Sequence, residues 1–317
     1  MRAVFLDRNT INQDISFHAI EQAVDNISYF ATTSDEKIVT RAKFADIVIT
    51  NKVELSAAVI AQLPKLKLIC ITATGTNNVD LQAAKQANIQ VCNVAGYSTA
   101  SVTQYVFAML LEFYQQTALQ LHDVRQGHWQ QSSVFCHFAR PVEELADKSM
   151  AIVGYGAIGQ SVAQVAKAFG MRVLICERRG ATSVRPGRVP FEQGLKEADI
   201  ISLHSPLTPQ TENLIDQQTL ALMKRSAILI NTARGQLVNS AALLTALRSK
   251  RIGGAILDVL EQEPPPADHP LLQQSMDNLM ITAHIAWGSR AAQQRLINAT
   301  GANINNYSRG ILTNRVV

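Results

Sequence analysis

A cation, a carboxylate and an imidazole each lie just past a short apolar run of this chain. Arg234 follows SAILINTA, Glu263 sits in the loop after GGAILDVLEQE, and His284 follows LMITA. Open α/β sheets bind ligands in that place, outside the carboxyl ends of their strands. Reduction of a carbonyl beside a carboxylate needs these three functions. A guanidinium grips the carboxylate through two hydrogen bonds and polarises the carbonyl. An imidazole gives a proton to the developing alkoxide, and an acid holds that imidazole in its charged form. Singly, each has a duller explanation, since an arginine at a strand end is often a surface ion pair and a histidine a packing residue. Their joint placement points to catalysis, with Arg234 and His284 also touching the substrate. The histidines are not at the spacing of metal ligands on a helix or hairpin, so no metal is expected.

A second set of residues points to a cofactor. Gly154, Gly156, Ala157, Ile158 and Gly159 belong to the run GYGAIG, which follows the strand-like SMAIV and opens a helix pattern of Ile158, Val162, Val165, Ala166 and Phe169. In such a turn the first glycine permits the bend, the second lets backbone approach a pyrophosphate, and the third lets the helix pack closely. The helix N-terminus then faces the phosphates. The acid expected about 20 residues on, to accept from the adenosine ribose hydroxyls, is Glu177. It favours NAD. The neighbouring Arg178 and Arg179 could pair with a 2'-phosphate, which keeps NADP as the alternative. His204, in ISLHSPLT, is expected to line the cofactor cleft, and Asp258 to hold the nicotinamide amide.

The elements that position these residues are legible as short apolar runs between helical stretches. RAVFLD, ADIVITN, LKLICI and IQVCNV read as buried parallel strands, and SMAIVG, MRVLIC, ADIISL, SAILIN, GGAILD and LMITA form a second series. From Thr99, Val102, Val106, Met109, Leu110 and Phe113 fall at helical spacing, and after Gly288 so do Leu296, Ile297, Thr300, Ile304 and Tyr307. The 317 residues, 47% of them apolar, are enough for two cores. The prolines from Pro264 to Pro266 and Pro270 mark a loop between the last two strands.

A net charge of +4, with lysines and arginines scattered, argues against a nucleic-acid surface. No apolar run approaches the ~20 residues of a membrane span. The start MRAVFLDRNT lacks the apolar region of a signal peptide, so a cytoplasmic protein is expected. The cysteines 70, 92, 136 and 176 form no CxxC pair and read as free thiols.

VGYGAIG, SLHSPLT, INTARG, LDVLEQEP and TAHIAWGS, in this order, resemble the D-isomer-specific 2-hydroxyacid dehydrogenases over almost the whole chain, most closely the glycerate dehydrogenase and hydroxypyruvate reductase branch. The resemblance implies an α/β fold of two Rossmann-like domains with doubly wound parallel sheets. The substrate domain is discontinuous and flavodoxin-like, residues 1–98 plus 288–317, and residues 99–287 bind NAD(P). It gives Arg234, Glu263 and His284 the roles of substrate arginine and acid-histidine relay. It places Thr103, Thr232, Ala233 and Arg234 beside the nicotinamide, and Pro206 and Thr211 along the cofactor. Asn51, Lys52, Thr74 and Gly75 fall to the substrate. It also implies a homodimer built partly on the helix from Thr99.

The activity implied is reversible reduction of hydroxypyruvate or glyoxylate to the D-2-hydroxy acid. D-lactate and phosphoglycerate specificities, and a dinucleotide-responsive corepressor-like module, are the alternatives. The turn ATGTNNVD, where relatives commonly have a second glycine, and Ala95, where many have proline, leave substrate preference open.

Overall fold

The computed structural model describes residues 1–273, 275–311 and 313–317. The chain separates into two compact units, Met1–Ser98 with Trp287–Val317, and Thr99–Ala286.

In the first unit, strands β1 (Arg2–Phe5), β2 (Asn26–Tyr29), β3 (Ile47–Thr50), β4 (Leu68–Ile71) and β5 (Gln90–Cys92) make a five-stranded sheet of order β2-β1-β3-β4-β5. Every pairing is parallel. All residues of β3 and β4 are buried because both faces of the sheet are covered. Ile47 and Ile49 turn to one face, with Phe5, Ile20, Leu296, Ile297 and Ile304; Val48 turns to the other, with Val4, Ile38, Ile60 and Ile69. The stripe read at the end of the sequence thus becomes the buried side of the helix Arg290–Ser308. That helix starts at Ser289, whose hydroxyl accepts from the Ala292 amide. β2 is an addition to the strands read from the sequence: NISY is polar and mostly exposed at the sheet edge, so it carries no apolar signal.

The second unit contains β6 (Ser149–Val153), β7 (Arg172–Cys176), β8 (Ile200–Leu203), β9 (Ile228–Asn231), β10 (Gly254–Leu257) and β11 (Leu279–Ile281), in the order β11-β10-β9-β8-β6-β7, again all parallel. Outside β7, Val189 forms a single parallel bridge with Cys176. The helix Thr99–Gln115 buries Val102, Val106, Phe107 and Leu110. Its Phe113 lies where a Cβ on Gly254 would come within 2.5 Å of the ring, so the absent side chain lets the helix approach β10. Phe107 stacks on Phe169 at 5.4 Å.

Candidate active site

In the second unit β7 follows β6 on one side and β8 lies on the other, so the strand order turns at β6. The glycine-rich turn leaves the end of β6 there. Gly154 has φ +95°, and a Cβ on it would sit 2.6 Å from the backbone of His204 and Ser205 at the end of β8. A Cβ on Gly159 would lie 2.1 Å from the Gly154 carbonyl oxygen, which fixes how closely the helix Ala157–Ala168 meets the strand. Beside Gly156 a Cβ would meet nothing within 4 Å. Two glycines are therefore required by packing. The third leaves open space at a helix N-terminus, which suits a diphosphate.

His204 hydrogen-bonds through Nε2 to the Ser202 hydroxyl at 2.9 Å, and burial pushes its imidazole down to about 4, so it is neutral at physiological pH. Thr211 ties the following loop together by donating to the Pro206 carbonyl at 2.7 Å and accepting from the Thr208 amide at 2.7 Å. The hydroxyls of Thr103 and Thr232 are buried without a hydrogen-bond partner among the described residues. Such orphans are costly in a folded core, and both belong to residues expected to border a nicotinamide. The open glycine and the two unsatisfied hydroxyls fit a dinucleotide.

Glu177 stands at the tip of β7, 5% exposed. Its oxygens already accept from Arg185 Nε at 2.7 Å, Arg185 Nη2 at 2.6 Å and the Arg178 amide at 2.9 Å, with Arg188 Nη1 at 3.9 Å. Hydrogen bonding chiefly from Arg185 holds the carboxyl down at about 2. Arg179 is tied to Asp216 at 3.0 Å, whereas the Arg178 side chain is exposed. Sequence spacing singled out Glu177. It did not find Arg185, eight positions on in an irregular loop.

Glu263 and His284 meet: His284 Nδ1 lies 2.5 Å from Glu263 Oε2, and Glu263 Oε1 accepts from the Leu260 amide at 3.1 Å. Both side chains keep some exposure, 21% for His284 and 32% for Glu263, which leaves the pair open to a ligand. His284 has φ +54°, a left-handed conformation that a non-glycine residue holds only when its surroundings impose it. Asp258 imposes it. Buried at the end of β10, it accepts from the Thr282 hydroxyl at 2.7 Å and the Ile285 and Ala286 amides at 2.9 and 2.8 Å, while its carbonyl takes the His284 amide at 2.8 Å. Tyr105 contacts the Thr282 hydroxyl and extends this network. The sequence marked Asp258 as a cofactor contact; its part in shaping the histidine turn emerges only in the fold.

Arg234 follows β9. A Cβ on Gly235 would fall 1.9 Å from the Leu260 carbonyl carbon, so glycine there lets the arginine turn lie against the loop that carries Glu263. The Arg234 guanidinium donates to the Ala233 carbonyl at 2.6 Å and, among the described residues, forms no ion pair. A half-buried guanidinium without a carboxylate is equipped to receive one from a ligand.

In the first unit, Asn51 and Lys52 follow β3, and Thr74 and Gly75 follow β4. The amides of Asn51, Lys52 and Val53 all donate to the buried carboxylate of Asp7 just beyond β1, at 2.9, 2.6 and 3.2 Å. Burial raises the Asp7 carboxyl in spite of these donors. Thr74 donates its hydroxyl to the Val94 carbonyl at 3.0 Å, and its own carbonyl accepts from Asn93 at 2.7 Å. Asp7 went unremarked in the sequence, although an acid closing the first strand of a doubly wound sheet was a usable signal.

Residues 107–286 match the family model described as D-isomer specific 2-hydroxyacid dehydrogenase, NAD binding domain. The chain is 41% identical over 311 residues to a glycerate dehydrogenase of Methylorubrum extorquens, covering 98% of this chain and 96% of that one. It is 34% identical to a hydroxypyruvate reductase of Blautia hydrogenotrophica, covering 100% and 99%. The crystal structure of a protein from Thermus thermophilus superposes with a TM-score of 0.87 at 31% identity, covering 100% of both chains.

Proposed function

Because the chain belongs to the D-isomer-specific 2-hydroxyacid dehydrogenase family, we propose that it reduces hydroxypyruvate or glyoxylate to the corresponding 2-hydroxy acid with NADH, reversibly. The observation that carries this reading is the 2.5 Å contact between His284 and Glu263, in a loop cluster that also carries an arginine with no ion-pair partner among the described residues.

The dinucleotide, when bound, supplies or accepts the hydride. The turn at Gly154 to Gly159 and the N-terminus of the helix Ala157–Ala168 hold its diphosphate, with Glu177 at the adenosine ribose. Thr103, Thr232 and the remaining acceptor capacity of Asp258 meet the nicotinamide amide. Arg234 holds the substrate carboxylate and turns the carbonyl toward His284. His284 donates a proton to the oxygen during reduction and takes it back during oxidation, and Glu263 stabilises the imidazolium form. We assign Asn51, Lys52, Thr74 and Gly75, and with them the discontinuous unit, to the substrate. The relatives named for glycerate and hydroxypyruvate support this choice of substrate.

The same reading makes the enzyme a cytoplasmic homodimer. Leu121, Val124, Trp129, Val134, Phe135 and Phe138 are all exposed, Phe135 to 91%, which a partner surface would relieve. Cys70 and Cys92 hold their sulfurs 3.5 Å apart as thiols, a state that suits a reducing compartment. Light scattering tests the dimer. Oxidation of NADH and NADPH, followed by absorbance with hydroxypyruvate, glyoxylate, pyruvate and 3-phosphohydroxypyruvate, tests the activity. The fastest turnover is expected with NADH and one of the first two acids, and no turnover with any of the four would reject the proposal.

A further inference from the structure

Three side chains of the second unit that the dehydrogenase chemistry does not use converge on one point. Asp123 lies in the last turns of the helix Thr117–Arg125, none of whose residues is buried. The chain then turns at Gly127, φ +82°, and residues 128–137 close into a loop: the His128 amide donates to the Asp123 carbonyl at 3.2 Å, Trp129 Nε1 to the Phe135 carbonyl at 3.0 Å and the Ser132 hydroxyl to the Cys136 carbonyl at 2.8 Å. This closure returns His137 to the helix beside His128. His128 Nδ1 lies 3.2 Å from Asp123 Oδ1, and His137 Nε2 lies 2.8 Å from Oδ2. The three donor positions all fall within 4.8 Å of one another.

Asp123 supplies a carboxylate, which is an anion at neutral pH as an aspartate ordinarily is. Zn²⁺ binds imidazole nitrogen and carboxylate oxygen at ~2.0–2.2 Å, and a tetrahedron of such bonds has edges of about 3.3 Å. Of the observed separations, the 3.2 Å between His128 Nδ1 and Asp123 Oδ1 matches that edge and the 2.8 Å between His137 Nε2 and Oδ2 is about half an ångström shorter, each imidazole facing a different oxygen of the carboxylate. A neutral imidazole needs only to carry its proton on the other ring nitrogen to present a lone pair here. Two nitrogens and one carboxylate suit a late first-row divalent ion, whereas Mg²⁺ and Ca²⁺ prefer oxygen throughout. His128 is 49% exposed in the single chain, so a further ligand, from water or from a partner subunit, can reach the cluster.

We infer that Asp123, His128 and His137 form a binding site for a divalent transition-metal ion of the Zn²⁺ class, which clamps the loop 128–137 to the helix Thr117–Arg125. The site is separate in function from the dehydrogenase machinery and does not depend on the substrate or cofactor proposed above.

The test uses the full chain, free of any histidine tag and stripped of metal by chelator. Titration with Co²⁺ is followed by visible absorption, and Zn²⁺ displacement by calorimetry. One ion per chain, the intense d–d bands of a tetrahedral N/O site and a higher melting temperature with Zn²⁺ are expected. Asp123→Asn and His137→Gln should each lose the bands and the thermal shift, whereas His122→Gln and Cys136→Ser should keep both. Unchanged circular dichroism and NADH binding in the variants would show that they fold. Failure of the wild-type chain to bind one ion, or binding that survives both Asp123→Asn and His137→Gln, would overturn the inference.

Discussion

The sheet of β1–β5 and the sheet of β6–β11 turn their strand order at the same place, with the second strand on one side of the first and the third strand on the other. In a doubly wound sheet the crevice at that turn is the usual ligand site. At the end of β6 it is left open by glycines, and a helix N-terminus faces it. At the end of β1 an internal carboxylate, Asp7, takes the amides of Asn51, Lys52 and Val53. One unit thus keeps its polar backbone available for an anion, and the other satisfies it with its own side chain. The same topology thus presents backbone amides in one sheet and occupies them in the other, where a contact of Asn51 or Lys52 with the proposed substrate would have to come from the side chain.

The largest effect that can break this comparison lies at His284. If the second unit alone carries the proton-transfer pair, His284→Gln should lower turnover by about 10²–10⁴-fold while dinucleotide binding persists; a near-normal rate would remove the second unit's claim to the chemistry. Gly154→Ala comes next. Its Cβ would fall 2.6 Å from the backbone of His204, and its φ of +95° disfavours any side chain. Loss of NADH binding by fluorescence titration, together with a lower melting temperature, is expected.

Asp7→Asn probes the other sheet. The amide group cannot accept from all the donors that now share the carboxylate, so folding stability should fall by about 1–3 kcal/mol in a urea titration, with NADH affinity in the folded protein unchanged. Lost NADH affinity would show that the closed turn is not merely internal. A smaller effect is expected from Arg185→Gln, which frees Glu177 to accept from ribose hydroxyls. NADH should bind severalfold more tightly and NADPH more weakly, so an unaltered ratio of the two would mean that Arg185 does not influence cofactor choice.

The mildest test is pH. Because the Glu177 carboxyl is held at about 2 in the fold, against about 4.3 when free, its contribution is present above the free value. It is lost as pH falls toward about 2. Acid titration of Glu177→Gln should lack that component.

Much of this was legible in residue order. Buried parallel strands are continuous apolar runs, which is why all of them except β2 stood out; β2 is polar because it lies at an edge. Arg234, Glu263 and His284 were singled out because ligand sites collect at strand ends. Arg185 and Asp7 were not. One lies in a loop without periodicity, and the other acts on amides more than forty positions away.

The sequence by itself determined which segments become strands, where the glycine turn bends and which polar residues stand at strand ends, because periodicity, steric freedom and side-chain chemistry are local properties. Only the tertiary structure decided that His284 is held left-handed by Asp258, that Gly235 lets the arginine turn meet the Glu263 loop, and that Arg185 already engages the Glu177 carboxylate. Those outcomes depend on which loops the packed sheet brings together, and a distance between residues remote in the chain is written in no local stretch of it.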